Sequence, residues 1–445
     1  MVSFMYTIFS EKKIKRGGIL LFKIKKLEKG LNYYCHVNEK FKFNIITLNL
    51  IVELNEKNAA QNAVLASVLR QSSNKYKTNR ELGNKLRSLY GADFFCDVKK
   101  AGNRQIIVFG IEVLDDDFAL EKEELLKEAV NLLFEAIFNP KIEDEKFTKE
   151  AVEIEKKDLI EVVKSAYSDK RQHAFKQAIK TLFEGDVFAI DKFSSLKRLE
   201  EVEEKWLYKS YIKLLKEAEV LISFVGPKER FICLEEIFKA FSNFKKGDFR
   251  EIEKKEHFIF KNFKEKQEID NLTQAKLVVA LSKKEKEKIN IDDEIAIEMM
   301  NYVFGGTATS LLFTNVREKE SLCYFCRSIY NEYYGVIFVE SGVEIKNVEK
   351  AYNSILAEFE KIKRGEFTEE DINKAKSTVD GAYRFIFDNE DKVHTYILSC
   401  FLTDVYLLPE EKIKKLQNVT KSDIIKAANK FTVSLKYVLK GVENK

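Results

Sequence analysis

Few residues in this chain are suited to chemistry. Of 445 residues, four are histidine (His36, His173, His257 and His394) and six are cysteine (Cys35, Cys96, Cys233, Cys323, Cys326 and Cys400). HVNEK, His36 to Lys40, has the outline of the inverted zinc motif H-x-x-E-H with Lys40 in the last place. That motif needs both imidazoles on one helix face, with the glutamate beside the bound water. The surrounding YYCHVNEKFKF is β-prone and turn-like, and lysine is not an ordinary ligand, so a metal site on His36 is the least favoured reading. His173 reads as a helix-surface residue. His257 and His394 have no carboxylate or cysteine grouping around them. Cys323 and Cys326 form a C-x-x-C, the spacing of a redox or zinc half-site. SLCYFCRSIY reads as a strand, however, where residues three apart face opposite sides, which favours a structural role. No G-x-S-x-G, P-loop or G-x-G-x-x-G pattern occurs. FGGT, Phe304 to Thr307, reads as a helix C-cap rather than a phosphate cradle, since no lysine follows.

The elements around these residues repeat. IIVFGIEVL, EELLKEAVNLLFEAI and NPKIEDEKFTKEAVEIEKKDLI form one series; VIFVESGVEI, VEKAYNSILAEFEKI and KRGEFTEEDINKAKSTVDGAY form another. Each reads strand, amphipathic helix, turn, second helix. Phe147-Thr148 and Phe367-Thr368 hold matching places about half a chain apart, so a duplicated module is expected. The predicted strands alternate with helices through hairpins and long returns, giving α+β layers rather than a doubly wound parallel sheet. Residues 1–20 fit no element and are expected to be an extension, either disordered or lying before a true start at Leu20 or Leu21. Residues 21–245 and 263–445 are then the two domains, and 246–262 lies in a charged, helix-poor linker. With 45% hydrophobic and 33% charged residues, the composition is that of a globular protein. Basic and acidic residues number 76 and 72 and are interleaved, which disfavours nucleic acid as a partner. No apolar run reaches membrane-spanning length and no signal peptide is evident, so a cytoplasmic protein with no membrane partner is expected.

One segment is more specific. FGGTATSLLFTNVREKESLCYFCRSIYNEYYGVIFVESGV carries Gly305, Gly306, Ser310, Leu312, Phe313, Val316, Arg317, Glu318, Lys319, Leu322, Tyr324 and Gly342 in one pattern. That pattern resembles the second domain of the M16 metallopeptidases, the pitrilysin and insulinase clan. The family's glycine before the leucine is Ser321 here. The resemblance runs from about residue 24 to the end. It implies two homologous M16-type (LuxS/MPP-like) α/β sandwich domains joined by a linker. Laying the family's H-x-x-E-H over NAVLASVLRQ gives Ala63, Ala66 and Ser67, and its distal glutamate ligand falls on Lys157, with Glu155 and Asp158 as neighbours. The resemblance therefore implies no metal, no cofactor and no catalytic residue of the chain's own. Within subfamily M16B the chain resembles the bacterial YfmF-type proteins associated with 5-aminopentanol modification of elongation factor P.

In two-chain M16B peptidases the silent chain lends an Arg–Tyr pair to its partner's zinc site. Arg317 and Tyr324 match that pair, so the resemblance implies a heterodimer with a zinc-bearing M16B homologue and contact with peptide substrate. A guanidinium and a phenol are donors suited to a developing oxyanion. The structural alternative pairs Arg317 with Glu318 or Glu320 on its own helix and leaves Tyr324 to pack. An assembly protein with no part in peptide processing is the alternative function. Homodimerisation of the chain when alone is left open. An exposed strand could accept an extended peptide by edge addition.

Overall fold

The computed structural model describes residues 10–16, 19–28, 30–229, 252, 256–286 and 290–442, with side chains from residue 30 onward. Two sheets organise it. The first holds β1 (Ser10–Arg16), β2 (Ile19–Glu28), β3 (Leu31–Val37), β4 (Phe43–Glu53), β5 (Asp93–Ala101), β6 (Arg104–Leu114) and β9 (Glu219–Gly226), in the order β1-β2-β3-β9-β4-β6-β5. A short hairpin, β7 (Ile142–Glu143) with β8 (Lys146–Phe147), stands apart from both sheets. The second sheet holds β10 (Lys264–Ile269), β11 (Gln274–Lys283), β12 (Cys323–Asn331), β13 (Val336–Glu344) and β14 (Phe431–Lys440), in the order β10-β14-β11-β13-β12.

The duplication is exact at the level of topology. β3 runs parallel to β9, and β9-β4-β6-β5 are antiparallel neighbours. β10 runs parallel to β14, and β14-β11-β13-β12 are antiparallel neighbours in the same succession. The first sheet differs only by the β1–β2 hairpin added at β3. Phe147 and Phe367 are both buried, and each stands just before a helix, Lys149–Ser165 and Glu369–Arg384. At Thr368 a capping box closes the second of these starts.

Residues 10–16 therefore correct one expectation. They are not outside the fold but form β1, whose backbone groups are taken up by an antiparallel ladder with β2. Their run of lysines hid the strand. Most of the expected linker, 246–262, lies outside the described residues. Its end does not run free: Phe258 N donates to Tyr334 O, and Phe260 N to Lys283 O.

The compact units do not follow the duplication along the chain. One comprises Met1–Val163, Ile190–Lys254 and Phe387–Leu402; the other comprises Lys164–Ala189, Lys255–Ile386 and Thr403–Lys445. Each half thus gives one helical segment to the other unit. Helix Lys170–Leu182 is held in the second unit by Arg171, whose Nε and Nη2 donate to Glu340 Oε2 at 3.1 and 2.6 Å. Arg327 Nε donates to the same buried oxygen at 2.9 Å. Two guanidiniums on one carboxylate supply the partners a buried charge requires. Ala174 and Ala178 let the helix approach β11 and β14, and Phe183 and Phe188 complete the cluster with Tyr334 and Phe338. In the first unit the core lies between β4, β6 and β9 and the helices over them; Leu50, Ile107, Phe109 and Val220 are all fully enclosed.

Candidate functional site

Ala63, Ala66 and Ser67 lie on helix Glu56–Gln71, which starts at an Asn55 side-chain cap and is buried along most of its length. Ala59, Ala60, Ala63 and Ala66 are nearly inaccessible to solvent. Ser67 Oγ folds back on the Ala63 carbonyl at 3.5 Å, the usual fate of a serine inside a helix. The last turns of this helix form one wall of a cavity of about 410 Å³. Helix Asn79–Ser88, capped by Thr78 as its spacing with Glu81 predicts, gives Leu82 and Leu86 to a second wall, and the edge strand β5 gives Phe94, Cys96, Asp97 and Val98.

Lys157 is not part of this place. On helix Lys149–Ser165 it is exposed, and the residue facing the cavity is Glu155, 7% exposed. Glu155 Oε1 is buried without a hydrogen-bond partner. Burial first, then the neighbouring Asp158, raise its pKa, while Arg70 opposes them. The sequence held the signal: Val152 and Leu159 mark the buried stripe, and Glu155 falls on it.

Arg317 reaches Tyr324 at its backbone carbonyl. Residues Leu312–Lys319 wind as a widened, π-type helix, in which Glu320 N reaches back to Asn315 O. Asn315 anchors the turn through Glu358 at 2.7 Å. Arg317 makes no ion pair with Glu318 or Glu320, contrary to the structural alternative. Its Nε donates to the Tyr324 carbonyl at 3.1 Å, and the guanidinium lies 4.3 Å from the Phe313 ring centre. Tyr324 is 58% exposed on β12, the edge strand of the second sheet. Ser321 joins the turn to β12 at φ +53°, a left-handed backbone that glycine adopts at less cost.

Three other expectations are corrected. A bulge between Cys323 and Phe325 breaks the alternation of β12, so both cysteines are buried in the same core cluster. The neighbouring Cys326 lowers the pKa of Cys323, while Cys323 and burial raise that of Cys326. Gly305 and Gly306 are not a left-handed cap. They lie inside the helical turn Tyr302–Gly306, where a Cβ on Gly305 would stand 2.7 Å from Ser328 N. The histidines stay structural: His36 stacks on Phe387, and His394 is buried against Ser223 and Thr47. His173 is half-buried rather than on the surface, packed edge-on to Tyr167.

The family model described as Peptidase M16 inactive domain matches residues 207–379. A Bacillus subtilis protein named Probable inactive metalloprotease YmfF is 26% identical over 424 residues, covering 93% of this chain and 96% of that one. (The expected subgroup label, YfmF, differs by the order of two letters.) A conserved protein of Enterococcus faecalis superposes with a TM-score of 0.85 at 27% identity, over 96% of this chain and all of that one. This chain is an M16 peptidase homologue. The structure of a peptidase M16 inactive domain from Pseudomonas fluorescens has the same fold, with a TM-score of 0.76, 15% identity and coverage of 95% and 99%.

The zinc of active M16 peptidases does not fit this homologue. Ala63 and Ala66 offer no donor atom, the Ser67 hydroxyl is engaged by its own helix, and Glu155 is a single carboxylate where three protein ligands are needed. No group of three histidine, cysteine or acidic side chains that could hold a metal occurs among the described residues. No described helix is long and apolar enough to cross a membrane.

Proposed function

We propose that this chain is the non-catalytic member of a cytoplasmic M16B heterodimer, in which Arg317 and Tyr324 meet the peptide bound at a zinc-bearing homologue's site. The observation that carries the reading is the state of Arg317. It is tied to the backbone of the residue it is to work with rather than neutralised by its neighbouring acids, and the Tyr324 side chain is exposed. A guanidinium that spends its Nε on a carbonyl keeps its two Nη groups as donors for an anionic or carbonyl oxygen. β12 ends the strand order of the second sheet among the described residues, the position at which an extended peptide adds to a sheet. Through its resemblance, the reading also ties the pair to 5-aminopentanol modification of elongation factor P.

The test is co-expression with a zinc-bearing M16B homologue, followed by peptidase assays on the purified complex. Arg317→Ala and Tyr324→Phe should each lower peptide turnover by about 10²-fold while the complex still co-purifies. Unchanged turnover in both variants would leave an assembly role as the surviving function. Failure of the two chains to associate would overturn the proposal itself.

A further inference from the structure

The second sheet gathers positive charge on the face that packs against helix Lys170–Leu182. Across β11, β13 and β12, Lys276, Gly342 and Phe325 stand level, and Glu340 and Arg327 stand level in the next row on the same face. Gly342 leaves room for the Phe325 ring, whose Cε1 would lie 2.7 Å from a Cβ there. The Arg171 guanidinium stacks on that ring, 4.6 Å from its centre.

Donors outnumber acceptors in this place. Nε and Nη2 of Arg171 approach Glu340 Oε2 at 3.1 and 2.6 Å, and Nε and Nη2 of Arg327 approach the same oxygen at 2.9 and 2.9 Å. One oxygen has two lone pairs, so the two forks bring more than it can accept. The Nη1 group of each arginine has no hydrogen bond among the described residues. Lys276 is half-buried, with neither an ion pair nor a hydrogen bond among the described residues. Burial first, then the charge of Arg171, lower its pKa, and Asp169 opposes them. Asp169 is itself engaged in capping its helix: Oδ1 accepts from the backbone N–H groups of Arg171 and Gln172 at 3.1 and 3.0 Å. Three cations thus face two carboxylates, which leaves one positive charge over. That excess matches a monoanion rather than a phosphate dianion. Planar guanidiniums with in-plane Nη donors match the plane of a carboxylate. A strand added at β12 would set alternate side chains level with Phe325 and Arg327, on this same face.

We propose that Lys276, together with the Nη1 groups of Arg171 and Arg327, binds a carboxylate. The group comes from an acidic side chain of a peptide extended along β12 or from a free small carboxylate; the chemistry is the same. All of these residues belong to the second unit, so the site rests neither on the Arg317–Tyr324 reading nor on a partner chain.

Saturation-transfer NMR on the purified full chain, in low-chloride buffer, tests it. The probes are acetyl-Val-Glu-Val methylamide, its glutamine counterpart, propionate and inorganic phosphate. Saturable binding of the glutamate peptide is expected, about tenfold weaker in Lys276→Gln and in Arg327→Gln. Lys276→Gln removes no ion pair, and in Arg327→Gln the Glu340 carboxylate keeps Arg171; thermal melting shows that both variants are folded. Tighter binding of the glutamate peptide than of propionate identifies an extended chain as the source, and tighter binding of propionate a free carboxylate. Four results would each overturn the proposal: no saturable binding of either carboxylate at millimolar concentration, equal binding of the glutamine peptide, unchanged affinity in Lys276→Gln, or tighter binding of phosphate than of both carboxylates.

Discussion

The buried imidazole of His394 should make the first unit acid-sensitive in a defined window. His394 is 4% exposed on helix Glu390–Thr403. Its Nδ1 lies 2.8 Å from Ser223 Oγ and 3.1 Å from Thr47 Oγ1, and these two hydroxyls are 2.6 Å apart. Nothing in that set is anionic, and burial, with a smaller push from Lys99, lowers the pKa from 6.5 to about 3. The unfolded chain therefore takes up its proton near pH 6.5, while the folded chain refuses it until far lower. Between those values the unfolded state binds more protons, so stability is full above pH 6.5 and falls with pH until about 3. For these two values the loss at about pH 5 is RT ln(1 + 10^1.5), about 2 kcal/mol. Urea unfolding of wild type and His394→Gln at about pH 7 and pH 5 isolates this contribution, because His36, His173, His257 and the carboxylates are common to both. The wild type should lose about 2 kcal/mol more than the variant over that interval. Equal losses would refute the claim that His394 is held neutral.

Other expectations follow from backbone and thiol environments. Ser321→Gly should raise stability by about 1 kcal/mol, since φ +53° strains a side chain and the only bond lost is the weak Ser321 Oγ to Glu318 O contact at 3.3 Å; a lower melting temperature would contradict it. Gly305→Ala should destabilise by about 1–3 kcal/mol, because its Cβ would press on the β12 backbone at Ser328; chemical denaturation reads this, and a neutral result would count against the close approach. Iodoacetamide at neutral pH should modify Cys323 ahead of Cys96, although Cys96 is the more exposed residue. The Cys326 thiol stabilises the Cys323 thiolate, and burial disfavours that of Cys96. Peptide mapping after brief labelling gives the order.

What the sequence made legible is what repeats or what packs with a simple period. The duplicated strand–helix–turn–helix series maps directly onto two sheets of one topology, because alternation and 3.6-residue stripes fix which face is buried. The Thr78 cap was equally plain from its spacing with Glu81. What misled was local geometry that breaks a period. A single bulge at Cys323 put two cysteines on one face that an ideal strand would separate. Of two glycines that read as a helix stop, Gly305 serves close packing against β12 at Ser328, and Gly306 lies against Asn301 and Tyr302. The exchange of helical segments Lys164–Ala189 and Phe387–Leu402 has no local signal, since it is fixed by partners far along the chain. Arg171 was an unremarkable surface charge in the sequence and became a buried carboxylate's partner only through folding.

Glu155 poses the sharpest question of stability. Counting along the chain set Lys157 at the place of the lost ligand, but two residues turn a helix by about 200°, so Lys157 and Glu155 cannot share a face. With no imidazole beside it and only the charge of Arg70, on the wall of the same cavity, to oppose its burial, Glu155 is a charge on an otherwise apolar stripe, between Val152 and Leu159. Leucine there would continue that stripe, and a buried polar group with no partner typically costs about 1–3 kcal/mol. Glu155→Leu should therefore stabilise the chain, by about 1–2 kcal/mol once the partly open side of the carboxylate is allowed for. Urea unfolding reads the change, and a loss of stability would mean that the buried oxygen has a partner in solution.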